Sequence, residues 1–538
     1  MHQLFAVPEL LHSIFKCLPR KDLVRCARVC QVWSEAALDI LWYKVNFIEF
    51  TKSLSSVKTD TEPSRRCYVF DPPPGVKAWS RFESKYASRV RQFSCNLFMA
   101  LAPLLDQLRK IRSSSSQVFP GLRTLTWRTS GHAFGDAIMF MHSQVTECSF
   151  SGRESTIGLS DFLLWTEAVP VHMPLLISLR LDCDPKPEFP GPLSATLLNL
   201  ACLVDVTVPP FEDISQILWS LSSLLKLRAL KIRTSYRSNS VVSSLGDVSY
   251  REGAFSNMEL FRIDVNAYSV LCPFLNHCAL HRLRTIQVSS VGGDQSLSHL
   301  LQAISRSCPV VTEIVISYKS PNEVSLLDAS ISFSSIEDIL ICPQITCFRL
   351  ETPYLLEIDD HEIQKIAVAW PQIENLDLNP NPHIKRPTDK KLSLWAAFIL
   401  TRMCPNLRHL GLHINVPSVQ TPSFSTSSLP ICVRGADAKM TSLRCLDLGN
   451  GCAFIPGDEY DFAELLGQIC DAECRLDCHI NADHVDDEED YLDLQARWRN
   501  VVRVFPRFSR MHSAMREMEW RLDSLEHEVK SYRASGCN

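Results

Sequence analysis

The sequence predicts an α/β fold. A short three-helix segment leads, a long array of short parallel strands with outer helices follows, and a C-terminal helix ends the chain. Three observations carry this. The unit apolar-x-x-apolar-x-apolar recurs about twelve times, roughly 23 to 36 residues apart. Pro120, Pro174, Pro309, Pro343, Pro371 and Pro405 each stand two residues before the first apolar position of a unit. The first forty-odd residues follow a helical rather than a strand period.

Pro8 stands where a helix can begin without losing a hydrogen bond. Leu10, Leu11, Ile14, Phe15 and Leu18 then form one apolar stripe. Asp22 is placed to cap a second helix bearing Leu23, Cys26, Ala27, Val29 and Cys30, and Trp33, Ala36, Ala37, Ile40 and Leu41 continue as a third. Three helices this short bury little among themselves, so the segment needs a partner or a neighbouring domain.

The stretch from residue 5 to 46 resembles an F-box. The opening hydrophobic-Pro-Glu-Leu-Leu, the Ile14-Phe15 pair, Leu18, Asp22-Leu23 and Val29-Cys30-x-x-Trp33 occur in order, with Val7 in place of the usual leading Leu. The resemblance implies docking of a Skp1-type adaptor and, through it, a cullin-RING ubiquitin ligase. The residues it singles out for the adaptor are Pro8, Glu9, Leu10, Leu11, Ile14, Leu18, Leu23, Val29 and Trp33, the last partly structural.

Residues 47–96 read as a linker with a connecting helix. Thr51 to Ser64 is polar, and Asp71-Pro72-Pro73-Pro74-Gly75 fits neither helix interior nor central strand, so roughly 50–75 is expected as a loop or hinge, open to proteolysis. A fragment from about residue 97 onward is expected to stay folded without it. Trp79, Phe82, Tyr86, Val90 and Phe93 recur at helical spacing.

From 97 to 480 the units run from Leu122/Leu125/Trp127, through Leu260/Ile263/Val265 and Ile373/Leu376/Leu378, to Leu443/Leu446/Leu448. Proline just before six of the units ends a helix and admits an extended strand. Helix-like stretches such as Ser296 to Ser307 and Leu392 to Met403 lie between them. Each turn of such a solenoid buries its apolar face against its neighbours. This part is similar to the degenerate leucine-rich repeats that follow an F-box, with Cys-Pro openings at Cys308, Cys342 and Cys404, and the whole resembles the fungal-type proteins of that kind. Regular repeats carry Asn three residues beyond the third apolar position. Here that place holds Asn381 and Asn415, but Ser130, Arg153, Asp184, Phe211 and Pro353 elsewhere, which predicts an irregular solenoid with inserts at Arg237 to Gly253 and Val416 to Met440.

Residues between the apolar ones point to the open face of the sheet. Arg123, Arg128, Lys231, Arg233, Arg262 and Arg284 come first, and Glu313, Glu351, Glu374 and Asp377 later, with His409 and His413 also outward. This sorting reads either as scattered solvated charge or as a face steering an oppositely polarised target protein. On the second reading Arg123, Lys231, Arg284, Glu351, Asp377 and His409 are the target contacts. Leu376 and Leu378 are expected buried, and Asp377 exposed enough that Asp377→Ala shifts stability within ~0.5 kcal/mol.

Residues 481–538 combine an acidic run, Asp483 to Asp490, with a heptad seam of Met511, Met515, Met518, Leu522, Leu525, Val529 and Tyr532. The seam fits a helix packed on the end of the array, a self-association helix, or a frayed tail.

A net charge of -5 offers no bulk reason to bind nucleic acid or anionic membrane. No apolar run reaches the ~20 residues that span a bilayer, and no secretory leader pattern is present. The 21 cysteines, scattered through apolar positions, read as reduced and buried, as in the cytoplasm or nucleus. Cys470, Cys474, Cys478 and His479 are spaced by four rather than as a zinc knuckle, and no metal or cofactor is expected. No nucleophile elbow, phosphate loop or H-E-x-x-H helix occurs, so no catalytic residue is assigned. The sequence therefore reads as a ligase substrate receptor. The alternatives are an adaptor-bound scaffold acting without cullin, or an enzyme with its site in the inserts.

Overall fold

A computed structural model describes residues 7–62, 65–97, 99–111, 117–129, 134–152, 157–233, 240–246, 250–291, 296–318, 330–382, 392–414, 443–449, 459–478 and 488–535. The insert at 416–440, most of the acidic run, His479, Asn415, Ser130 and Arg153 lie outside these residues. The chain divides into two compact units, Met1–Asp264 with His277–Leu280, and Val265–Asn276 with His281–Asn538.

In the first unit the parallel strands are Lys44–Asn46, Gln92–Leu97, Thr124–Thr129, Glu147–Gly152, Ser178–Asp182, Asp205–Val208, Ala229–Ile232 and Leu260–Val265. Each pairs with the next, so that Val45, Phe93, Leu125, Cys148, Leu179, Val206, Leu230 and Phe261 form one row across the sheet. Every member of that row is buried. In the second unit Thr285–Ser290, Glu313–Tyr318, Cys347–Leu350, Asn375–Leu378, His409–Leu412, Cys445–Asp447 and Arg475–Asp477 pair in the same way. The corresponding row, Ile286, Ile314, Phe348, Leu376, Leu410, Leu446 and Leu476, is buried too. The fold is α/β, a leucine-rich-repeat-like succession of strand and helix turns behind three N-terminal helices.

The prolines act as the sequence suggests. Helices Leu159–His172, Leu297–Ser307, Asp360–Ala369 and Trp395–Met403 end at Met173, Cys308, Trp370 and Cys404, each followed by proline. These four residues have φ between -127° and -119° and ψ between 55° and 81°, outside the helical region that a following proline ring disfavours. All four are buried, so the residue that stops the helix also seals the core behind it.

Three readings need correction. The unit near 260 is Met258/Phe261/Ile263: Phe261 pairs with Leu230 and is buried, while Leu260 is only half-buried. Leu260/Ile263/Val265 satisfies the same pattern two residues out of phase because Val265 is also apolar and buried. Val90, Phe93 and Cys95 form a further buried unit rather than a continuing helix, since helix Val76–Lys85 stops first and Gln92–Leu97 is strand. The amide that ties one turn to the next is that of Asn379, not Asn381. Asn379 adopts φ 49°, accepts from the Thr352 N–H at 3.0 Å, and donates to Thr352 Oγ1 at 3.2 Å. Asparagine tolerates this left-handed conformation better than most residues. Leu376 and Leu378 are buried as expected. Leu378→Ala should therefore lower the unfolding free energy by ~2–5 kcal/mol, read from denaturant midpoints at unchanged slope.

The hinge expected at 50–75 is a packed element. Asn46 opens helix Phe47–Leu54 with a capping box: its side chain accepts from the Glu49 N–H at 2.9 Å, and the Glu49 carboxylate accepts from the Asn46 N–H at 3.2 Å. Phe47, Phe50, Thr51 and Leu54 are buried. Phe50 meets the rings of Phe82, Phe93, Phe119 and Phe140 at centroid distances of 5.1 to 6.3 Å. Val57–Glu62 and Arg65–Phe70 form an antiparallel hairpin, and the Phe70 N–H donates to Gln107 Oε1 at 3.0 Å. Of the polar residues that suggested a loop, Thr51 is buried, while Lys52, Lys58 and Thr59 are exposed on the outer side of this helix and hairpin.

At the C-terminal end, helix Glu488–Ser535 lays Leu494, Trp498, Val501 and Phe505 against helix Glu459–Ile469. Ser509 Oγ donates to the carbonyl of Cys470 at 2.8 Å, and Gly467 admits the close approach, because a Cβ there would lie 2.8 Å from Ser509 N. Among the described residues no helix is long and apolar enough to cross a membrane.

Candidate functional site

Helices α1 (Pro8–Lys16), α2 (Arg20–Cys26) and α3 (Gln31–Leu41) close around Leu11, Phe15, Leu23, Ala37 and Leu41, with Leu18, Trp33 and Ile40 at the margin. Pro8 is at the first helical turn as its chemistry requires. Asp22 is not the cap: Pro19 precedes the second helix, and Asp22 sits in its first turn, 3.0 Å from Arg25 Nη1. An acid there still complements the helix dipole.

The residues singled out in this module divide into two sets. Leu11 and Leu23 are core and unavailable for contact, and Trp33 packs edge-on against Phe15 at 5.3 Å. Pro8, Glu9, Leu10, Ile14 and Val29 are exposed. Leu10 and Ile14 each keep 43% of their surface and lie one turn apart on α1, about 100° round the helix from Leu11 and Phe15. Val7, Val24 and Val32 are exposed as well, 41% to 52%, and were not singled out because each interrupts the simple stripe pattern. Six apolar side chains on so short a segment are thus exposed among the described residues.

The module is fixed to the first repeats. Trp42 stacks on Tyr86 at 4.4 Å, Arg20 Nη2 lies 2.9 Å from Glu49, and Arg89 pairs with Glu35 and Asp39. Strand Lys44–Asn46 follows α3 directly and pairs with Gln92–Leu97.

The open sheet face differs from its sequence reading. Arg123 is exposed, but its guanidinium donates to the carbonyl and side chain of Gln144 at 3.2 and 3.0 Å, stapling adjacent turns. Lys231 Nζ is 3.1 Å from Asp205. Arg284 and Glu351 are exposed, while His409 is half-buried. In the later strands acids and bases alternate: Arg349 with Asp377 at 3.3 Å, Arg408 with Glu374 at 3.8 Å, and Arg475 with Asp477. Lys231, Glu374 and Asp377 are thus paired within the fold by partners the sequence reading left out.

Asp377 is the clearest correction. It occupies the open-face row, opposite Arg349 and Gly411, yet is only 6% exposed. Its carboxylate reaches across Gly411, where a Cβ would lie 2.3 Å from Oδ1, and accepts from His409 Nε2 at 2.7 Å. That hydrogen bond, with a further one to Cys445, holds the imidazole up to about 10. Asp377→Ala should therefore cost about 2 kcal/mol rather than nothing, because His409 and Arg349 lose their shared anion. A raised histidine stabilises the fold fully below its unfolded value near 6.5, and the contribution is lost as pH climbs from there toward 10. Denaturant titrations across that window should show stability falling with pH in the parent chain and a flatter profile in Asp377→Asn.

The expected buried thiols are found at Cys95, Cys148, Cys183, Cys308, Cys342 and Cys404, with burial pushing Cys404 up to about 12. Among the described residues no cluster of three or more His, Cys, Asp or Glu is placed to hold a metal ion.

Two solved structures are similar to parts of this chain. A chain of the TLR13–ssRNA13 complex matches 74% of this chain at 14% identity with a TM-score of 0.41, and this chain spans about half of its length, 48%. A chain of the yeast Rad7 and Elc1 complex matches 76% of this chain at 14% identity with a TM-score of 0.37, over 92% of its own length. The N-terminal module has its own match: residues 8–48 fit the F-box-like family model, and the chain carries an F-box-like domain there.

Proposed function

We propose that this chain is the substrate-receptor subunit of an SCF-type ubiquitin ligase, a non-catalytic protein of the cytoplasm or nucleus. Its F-box-like domain docks a Skp1-type adaptor, and its repeats hold a target protein for the cullin-bound machinery. The observation that carries this reading is the exposed apolar face of Leu10, Ile14 and Val29 on an F-box-like domain joined without a hinge to the first repeats. Burying such a face supplies affinity in proportion to the area removed from water. The mount through Trp42 and strand Lys44–Asn46 keeps a docked adaptor in a defined orientation relative to the first repeats. Glu351, Arg284 and the exposed Arg128 are the open-face groups left for a target, since Asp377 and Arg123 are occupied within the fold.

The test is co-purification of the full chain with a Skp1-type adaptor and a cullin from cells in which ubiquitin-chain turnover is blocked. Recovery of both, with ubiquitin-modified targets, is the expected result. Adaptor without cullin would make the chain a scaffold, and absence of adaptor would refute the receptor reading.

A further inference from the structure

The C-terminal helix carries two apolar seams, and among the described residues only the first is covered. Leu494, Trp498, Val501 and Phe505 alternate by four and three and are buried against helix Glu459–Ile469. A second run with the same spacing begins at Met511, six residues after Phe505 and so on a different face of the helix, and nothing covers it within the described residues. Met511, Met515, Met518, Leu522, Leu525 and Val529 keep 45% to 62% of their surface. Water-exposed leucine, valine and methionine at a strict heptad period are the signature of a helix awaiting a second helix.

We propose that this face binds the same face of a second copy of the chain, forming a short parallel two-stranded coiled coil. In heptad terms Met515, Leu522 and Val529 occupy the a positions, and Met511, Met518 and Leu525 the d positions. A β-branched residue at a with leucine at d, as Val529 and Leu525 provide, favours two parallel strands. Arg521 then falls at a g position and Glu526 at the following e position. In a parallel pair each Arg521 meets Glu526 of the other copy, giving two opposite-charge pairs across the seam. Both groups are steadied along their own helix, Arg521 by Glu517 at 2.9 Å and Glu526 by Lys530 at 3.7 Å. A seam this short would not form from unfolded peptide, because nucleation is unfavourable. Here the helix is already nucleated by its buried first half. The inference is independent of adaptor binding: it would give one assembly two F-box-like domains and two repeat regions.

The test is the mass of the purified full chain by sedimentation or light scattering across micromolar concentrations. A reversible dimer is expected, and the double variant Leu522→Glu/Leu525→Glu should weaken it by at least about a hundredfold while leaving the thermal transition in place. Arg521→Glu and Glu526→Arg should each weaken self-association about tenfold, and mixing the two variants should restore it as a heterodimer, since both cross pairs become opposite in sign. A chain monomeric at all concentrations, or a dimer indifferent to the double variant, would overturn the proposal. Failure of the mixed variants to associate would overturn the parallel arrangement.

Discussion

Phe50→Ala is expected to lower the unfolding free energy by about 3–5 kcal/mol, the largest single-site effect anticipated in this chain. Phe50 is 1% exposed and stands where the rings of Phe82, Phe93, Phe119 and Phe140 converge. Removing it deletes several edge-to-face contacts at once and leaves a cavity that rigid aromatic neighbours fill poorly. The consequence should be more than a lower midpoint. Helix Phe47–Leu54 lies between the F-box-like domain and the strand at Gln92–Leu97, so the variant should make the segment from 47 to 75 protease-sensitive where the parent chain resists cleavage. Early cleavage of the parent chain within Thr51 to Leu54 would contradict the packed linker.

Leu10→Ala/Ile14→Ala should act oppositely, on binding and not on folding. Both side chains are already half in water, so truncation costs the isolated chain little. Docked against an adaptor, each would forfeit roughly 1–2 kcal/mol, and the pair should weaken affinity about 30- to 1000-fold. Leu11→Ala is the informative contrast. Leu11 is fully buried in the domain core, so its truncation should destabilise the domain itself. Equal loss of affinity in both variants, with equal loss of folding, would mean that Leu10 and Ile14 support structure rather than contact.

Periodicity made the repeats legible because the turns of the array bury the same positions and several end their helix at the same proline. It failed where two phases were both apolar, as at Met258 and Leu260, and where a strand followed a helix of the same aromatic composition, as at Phe82 and Phe93. The helix at Phe47–Leu54 was hidden because its inward residues, Phe47, Phe50, Thr51 and Leu54, include a polar one and are interrupted by Glu49, Lys52 and Ser53. The F-box-like domain was legible as a motif, but a motif does not separate core from contact. Leu10 and Leu11 are adjacent in sequence, and only the helix geometry sends one to solvent and the other inside. Charge was the least legible property. Asp377 is outward by alternation and yet buried, because one neighbouring strand offers a glycine to lean over and a histidine, and the other an arginine.

Amide hydrogen exchange of the full chain, with and without a purified Skp1-type adaptor, tests the central claim most directly. If the F-box-like domain is the docking site, the adaptor should slow exchange in α1 and in the segment around Val24 to Val32, leaving the strands from Thr124 to Leu412 unchanged. No protection at saturating adaptor, or protection confined to the repeats, would contradict it.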